Sequence, residues 1–187
     1  MNVKKVPLLC LLALWLSAAG FAQIFRGEGE AKNAALSFSF HYVDYSSYRY
    51  LLYIDGVSVF LTEDHVSRLR GILDKFEAWK TQAEAEQAAL TKTIDTITTG
   101  EFHYSHTFFR EPLSFYFVFT GGPVTAVPGA DPSAVYALFV DTTLDRIAPF
   151  RLSAETVRSF RDALTLEHLE EAREAYERQK ALEELFN

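Results

Sequence analysis

The chain has 187 residues, 49% of them hydrophobic and 23% charged, which excludes wholesale disorder, collagen-like repetition and a multi-span membrane protein. Eighteen basic residues against 25 acidic ones give a net charge of −7 and a pI near 5.2. With no basic stripe, nucleic acid is not an expected partner.

Residues 1–22 read as a secretory signal peptide. Lys4 and Lys5 make a positive start, Val6 to Leu16 is an apolar run of 11 residues, and Ser17 to Ala22 is a small-residue tail. Gly20 and Ala22 fit a small-x-small cleavage site, which makes Gln23 the first mature residue. The apolar run is short against the roughly 20 residues a bilayer requires, so no membrane span is expected after cleavage. A lipid anchor fails on position, because Cys10 lies inside the apolar run behind bulky Leu9. The leader carries the only Cys and the only Met; without it, 16 basic and 25 acidic residues remain, a net −9. A mature chain with no thiol has no disulfide, thiolate metal site or cysteine nucleophile. Such a chain must rely on its packed core, and it fits a bacterial periplasm or secretion from the cell.

Next come elements that recur. Leu36 to Tyr42 alternates apolar and polar residues, the period of a half-buried strand. Tyr48 to Ile54 reads as a second strand, Asp55-Gly56 as a two-residue hairpin turn, and Val57 to Leu61 as the return strand. Thr62 suits a helix N-cap, with Glu63 and Asp64 in the first turn and Val66, Leu69, Leu73 and Phe76 on one face. That helical stretch runs to about Leu90. Thr91 to Thr98, Thr99-Gly100 and Glu101 to Arg110 read as an additional hairpin. Leu113 to Phe119 and Val135 to Asp141 then read as strands, with Ile147 to Arg151 a short one. Ser153 is a second N-cap, and a helical stretch with Val157, Phe160 and Leu164 inward extends from Ala154 to about Phe186.

Three blocks repeat in order. Leu36-Ser37-Phe38-Ser39-Phe40 returns as Leu113-Ser114-Phe115-Tyr116-Phe117, and Tyr50 to Asp55 returns as Tyr136 to Asp141. The segment from Leu61-Thr62, with Val66, Arg70 and Leu73, returns from Leu152-Ser153 with Val157, Arg161 and Leu164. The second copy has longer loops, among them the Gly- and Pro-rich Gly121 to Pro132. The expected fold is therefore α+β: an internally duplicated strands-then-helix unit, residues 23–90 and 91–187. Its mainly antiparallel sheet carries two long helices on one face, and the copies join in one compact domain.

The sequence carries no P-loop, G-x-S-x-G or HExxH motif. Glu101, His103 and Ser105 share one strand face, but such neighbours stand about 6.6 Å apart, too far for a direct relay. His103 and His106, three apart, point to opposite sides of a strand, and Ser37, Ser39 and His41 form a similar polar face in the first copy. Asp55 and Asp141 read as turn residues at strand ends, Arg70 and Arg161 as salt-bridging or carbonyl-contacting residues at equivalent helical places. Glu28, Glu30 and Asp44 lack the spacing of a calcium loop. No cofactor or metal is expected. Aromatics crowd between Phe38 and Phe60, and the candidate binding residues are Tyr45, Tyr50 and Tyr53, with Tyr50 and Tyr53 on opposite strand faces. The charged stretch Glu167 to Glu184 reads as a solvated helix face. The function expected is exported, non-catalytic binding of a protein or small ligand in the cell envelope. The alternatives are a small-ligand carrier with a cleft between the copies and a carboxylate or histidine hydrolase.

Overall fold

The computed structural model describes residues 21–32, 34–104, 107–122, 135–145 and 147–185. Outside these lie residues 1–20, with Met1, Lys4, Lys5 and Cys10, as well as Ser105, His106, Phe186 and positions 123–134 of the Gly- and Pro-rich segment.

The first half runs β1 (Ala22–Ala31), β2 (Ala34–Tyr45), β3 (Tyr48–Ile54), β4 (Val57–Leu61) and α1 (Glu63–Glu86). The second runs β5 (Leu90–Thr99), β6 (Phe102–Tyr104), β7 (Thr107–Phe109), β8 (Leu113–Gly122), β9 (Val135–Thr142), β10 (Phe150–Ser153), α2 (Ala154–Ala163) and α3 (Leu166–Leu185). The class is α+β. All ten strands join one antiparallel sheet in the order β5-β8-β9-β10-β1-β2-β3-β4-β6-β7. The sheet curls back on itself. Thr99 Oγ1 at the end of β5 donates to the Phe60 carbonyl of β4 at 2.7 Å, and Phe60 N–H donates to the Glu101 carbonyl at 3.3 Å. Among the described residues no helix is long and apolar enough to cross a membrane.

Local chemistry accounts for the best-defined elements. Asp55 and Gly56 both have positive φ, 46° and 82°, the twist a two-residue hairpin needs, and they join β3 and β4 in an unbroken ladder. Thr62 caps α1 by a reciprocal pair: its Oγ1 accepts from His65 N–H at 3.3 Å, and His65 Nδ1 accepts from Thr62 N–H at 3.2 Å. Histidine here fills the place usually taken by Glu or Gln. A backbone N–H can only donate, so His65 must be neutral with its proton on Nε2. Ser153 caps α2 through Thr156 N–H.

Several elements differ from the expectation. Thr99-Gly100 is no hairpin turn: β5 pairs with β8, while β6 pairs with β4 and turns back as β7. The Glu101 to Arg110 run is thus two three-residue strands at the sheet's end. The short strand expected at Ile147 to Arg151 is β10, shifted to Phe150–Ser153. Among the described residues the second long helical stretch is two helices, α2 and α3. Buried Leu164 ends α2, and Thr165 starts α3 by accepting from His168 N–H on its side chain and from Leu169 N–H on its carbonyl. β1 was not anticipated at all, yet it lies at the centre of the sheet between β10 and β2. The repeated blocks also meet with a two-residue slip. Phe40 faces Leu52, whereas Phe117 faces Val140, and Leu138, which matches Leu52 in the blocks, faces Phe119.

One apolar core spans both halves. Val66, Leu69, Ile72, Leu73 and Phe76 of α1 and Val157 and Phe160 of α2 join Phe38, Phe40, Ile54, Phe115, Phe119 and Leu138 of the sheet. At its middle lies an entirely apolar cavity of about 30 Å³, bordered by Phe38, Leu52, Leu69, Phe115, Val140 and Phe160.

Candidate functional site

The strand alternation separates the three candidate tyrosines. Tyr50 is in step with Leu52 and Ile54 and turns inward. It is 7% exposed, stacked on Phe40 at 5.6 Å and perpendicular to Tyr42 at 5.7 Å. Tyr45 and Tyr53 are 46% and 43% exposed. Tyr50 therefore does not share a surface with Tyr53.

Tyr45 belongs to a ring cluster drawn from four strands, β2, β3, β4 and the more distant β7. Its ring lies 5.1 Å from Phe60 of β4 and 6.2 Å from Phe108 of β7; Phe60 and Phe108 are 5.7 Å apart, and Tyr48 meets Phe60 at 5.9 Å. The Arg110 guanidinium sits 5.7 Å over Phe108, and its Nε is 3.6 Å from the Glu101 carboxylate. Register links Tyr53 to the same side: Tyr53 faces Ser58, Ser58 faces His103, and His103 faces Phe108. Directly opposed residues on adjacent strands share a face, so this row runs from Tyr53 into the cluster across about 14 Å.

The sequence singled out Tyr45, Tyr50 and Tyr53 but not Tyr48, Phe60, Phe108 or Arg110 as binding residues. Phe60 alternates outward between buried Val59 and Leu61, a signal visible in the sequence. The meeting of Phe60 with Phe108 depends on β6 pairing with β4.

The polar candidates scatter. Of the Glu101, His103 and Ser105 run, Glu101 engages Arg110, His103 stands between Ser58 and Phe108, and Ser105 lies outside the described residues. Asp55 forms its turn, and Asp141 Oδ1 accepts from Thr142 N–H at 2.8 Å. Glu30 pairs with Arg151 at 2.7 Å, and Asp44 with Arg49 at 2.9 Å and Lys180 at 3.7 Å. Among the described residues no three His, Cys, Asp or Glu side chains gather as a metal site requires. Arg161 pairs with adjacent Asp162, whereas Arg70 has no ion pair among the described residues and lines a cleft instead.

On the polar face of β2, His41 Nε2 is 2.8 Å from Ser39 Oγ, and Phe21 lies edge-on to its ring at 6.2 Å. Its Nδ1 is sealed from solvent without a hydrogen-bond partner among the described residues. Burial holds His41 below the ordinary imidazole value of 6.5. Burial does the same for His65, helped by the Arg68 guanidinium. In the unfolded chain both rings take up protons as pH falls through about 6.5, while in the fold they do so only at lower pH. The fold thus loses stability as pH drops below that value. Thermal unfolding is expected to be flat from pH 8 to 7 and to shift down between pH 6.5 and 5. The His41→Gln, His65→Gln double variant, which keeps a capping residue at 65, should lose much of that shift. Equal shifts in both proteins would show that other groups carry it.

No family model, curated protein or solved structure matches this chain.

Proposed function

We propose that this chain is an exported, non-catalytic binding protein of the bacterial envelope that holds a protein partner on the outer ring cluster. The observation that carries the reading is the contiguous set Tyr45, Tyr48, Phe60 and Phe108 with Arg110 at its border. Exposed rings with an arginine beside them are the groups that contribute most at protein interfaces, because they bury large area at little entropic cost. Tyr45→Ala is expected to abolish complementation in a strain lacking the protein while leaving abundance and melting temperature nearly unchanged. His103→Ala is expected to complement fully. Loss of function in His103→Ala with abundance preserved would replace this reading with a catalytic one.

Export rests on the leader. β1 begins at Ala22, so a new terminus at Gln23 leaves all but the first residue of that strand. Mass spectrometry of the exported protein is expected to find Gln23 first, free or cyclised. A mature species that retains Met1 or Lys4 would refute it.

We also read the domain as a duplication, residues 23–90 and 91–187, forming one compact unit. Two successive four-strand runs support this reading, β1-β2-β3-β4 and β5-β8-β9-β10, each followed in the chain by helix. The first strand of each run also carries a bulge at an isoleucine, Ile24 in β1 and Ile94 in β5.

A further inference from the structure

A cleft of about 340 Å³ opens between the first turns of α1 and those of α3, on the side away from the ring cluster. It therefore lies between residues 23–90 and 91–187. Its floor is Tyr42, Tyr50, Val66 and Leu169, all buried. The rings of Tyr42 and Tyr50 stand at 88° to each other, and the two residues are only 5% and 7% exposed. Neither phenol oxygen has a hydrogen bond among the described residues, and neither is sealed from solvent, while both residues line the cleft. Burial raises both phenols above their usual value, and for Tyr50 the Glu63 carboxylate adds to the effect. They are therefore protonated donors at neutral pH.

The walls carry charge of both signs. Glu170 and Arg173 of α3 neutralise each other at 2.6 Å. Glu63 and Arg70 of α1 have no ion pair among the described residues. They are seven residues apart, so two helical turns and about 10 Å separate their backbones on the same helix face. Leu166 stands at the rim, 70% exposed. An aromatic floor with two unsatisfied donors, an apolar rim, one free cation and one free anion favour one ligand chemistry. That ligand has a carboxylate, an ammonium group and an apolar side chain.

We propose that this cleft binds a small zwitterion, an apolar amino acid or dipeptide. Arg70 takes its carboxylate, Glu63 its ammonium, and the Tyr42 and Tyr50 rings line the side-chain pocket while their hydroxyls donate to the ligand's carboxylate or peptide carbonyl. The volume sits at the small end of ligand pockets, which matches that size. The site is independent of the outer ring cluster, so failure of one leaves the other standing.

Calorimetric titration of the purified protein with phenylalanine and with the dipeptide Leu-Phe tests this. One or both are expected to bind. Acetylating the amine or amidating the carboxylate should each weaken binding about tenfold or more, the worth of one hydrogen bond to a charged group. Arg70→Gln should weaken the unmodified ligand but leave the amidated form nearly unaffected. Glu63→Gln should do the same for the acetylated form. Both side chains lie at the surface, and circular dichroism should confirm that both variants fold. Absence of binding at millimolar concentration, equal affinity of blocked and free ligands, or indifference to both substitutions would each overturn the proposal.

Discussion

Phe38→Ala and Phe115→Ala are each expected to lower the unfolding free energy by about 3–5 kcal/mol, the range for truncating a large core aromatic. Both side chains are 3% exposed. Phe38 stands between Gly27 and Ile54 in the sheet, with its ring against Phe25 at 5.6 Å and Phe160 at 5.4 Å. Phe115 stands between Ile97 and Thr142. The two meet the same central cavity. Truncation of either joins new empty volume to an existing void, which the surrounding strands, pinned by ladders on both sides, close only in part. The losses should therefore be similar at the two sites despite their separation in sequence. For a chain of this length such a loss lowers the melting temperature by roughly 6–20 °C. Urea unfolding of the two variants measures it. A loss below about 1 kcal/mol at either site would mean the positions are not equivalent core anchors.

What could be read from the sequence followed local physical chemistry. The bounds of β3 and β4 emerged to the residue, because β4 alternates cleanly and Asp55-Gly56 forms a tight turn after the aromatic and aliphatic run of β3. Thr62 and Ser153 were legible as caps because a hydroxyl before an acidic turn satisfies free N–H groups. β1 was not legible. Gly27, Glu28, Gly29 and Glu30 break the strand pattern, and their reason is tertiary: the glycines leave room for the Phe25 and Phe38 rings and for Leu152 and Phe150 of neighbouring β10. The break at Thr165 was hidden for a similar reason, since Leu164 and Leu169 continue an apolar period across it. At the outer face, Tyr45 and Tyr53 were among the candidates, but alternation alone did not say whether Tyr50 or Tyr53 turns outward. The ring cluster was not legible, because it requires β6 and β7 to add beyond β4, a pairing that no local signal specifies.

Phe160→Ala is expected to cost about as much, 3–5 kcal/mol, and to loosen the centre of the sheet selectively. Phe160 is the side chain through which α2 grips β1 and β2. It stacks on Phe25 at 4.8 Å with 22° between planes, and meets Phe38 and Phe40 edge-on at 5.4 and 5.8 Å. Packing within the sheet around β1 depends on missing side chains. A Cβ at Gly27 would stand 2.5 Å from Phe25 Cε1, and one at Gly29 would stand 2.9 Å from Leu152 Cδ2 and 3.0 Å from the Arg151 carbonyl oxygen. β1 thus contributes little apolar bulk of its own near its end and is held by the ring above it, together with the Thr156 Oγ1 hydrogen bond to the Glu28 carbonyl. Removal of that ring should raise amide exchange in β1 before it does so in β3 or β4, whose Asp55-Gly56 hairpin is local. Because Phe25 and Phe160 stack, a double-mutant cycle to Ala should show a coupling of about 0.5–1.5 kcal/mol. Additive losses, or exchange that rises uniformly across the sheet, would mean that α2 is a passive cover and that β1 is held by its ladders alone.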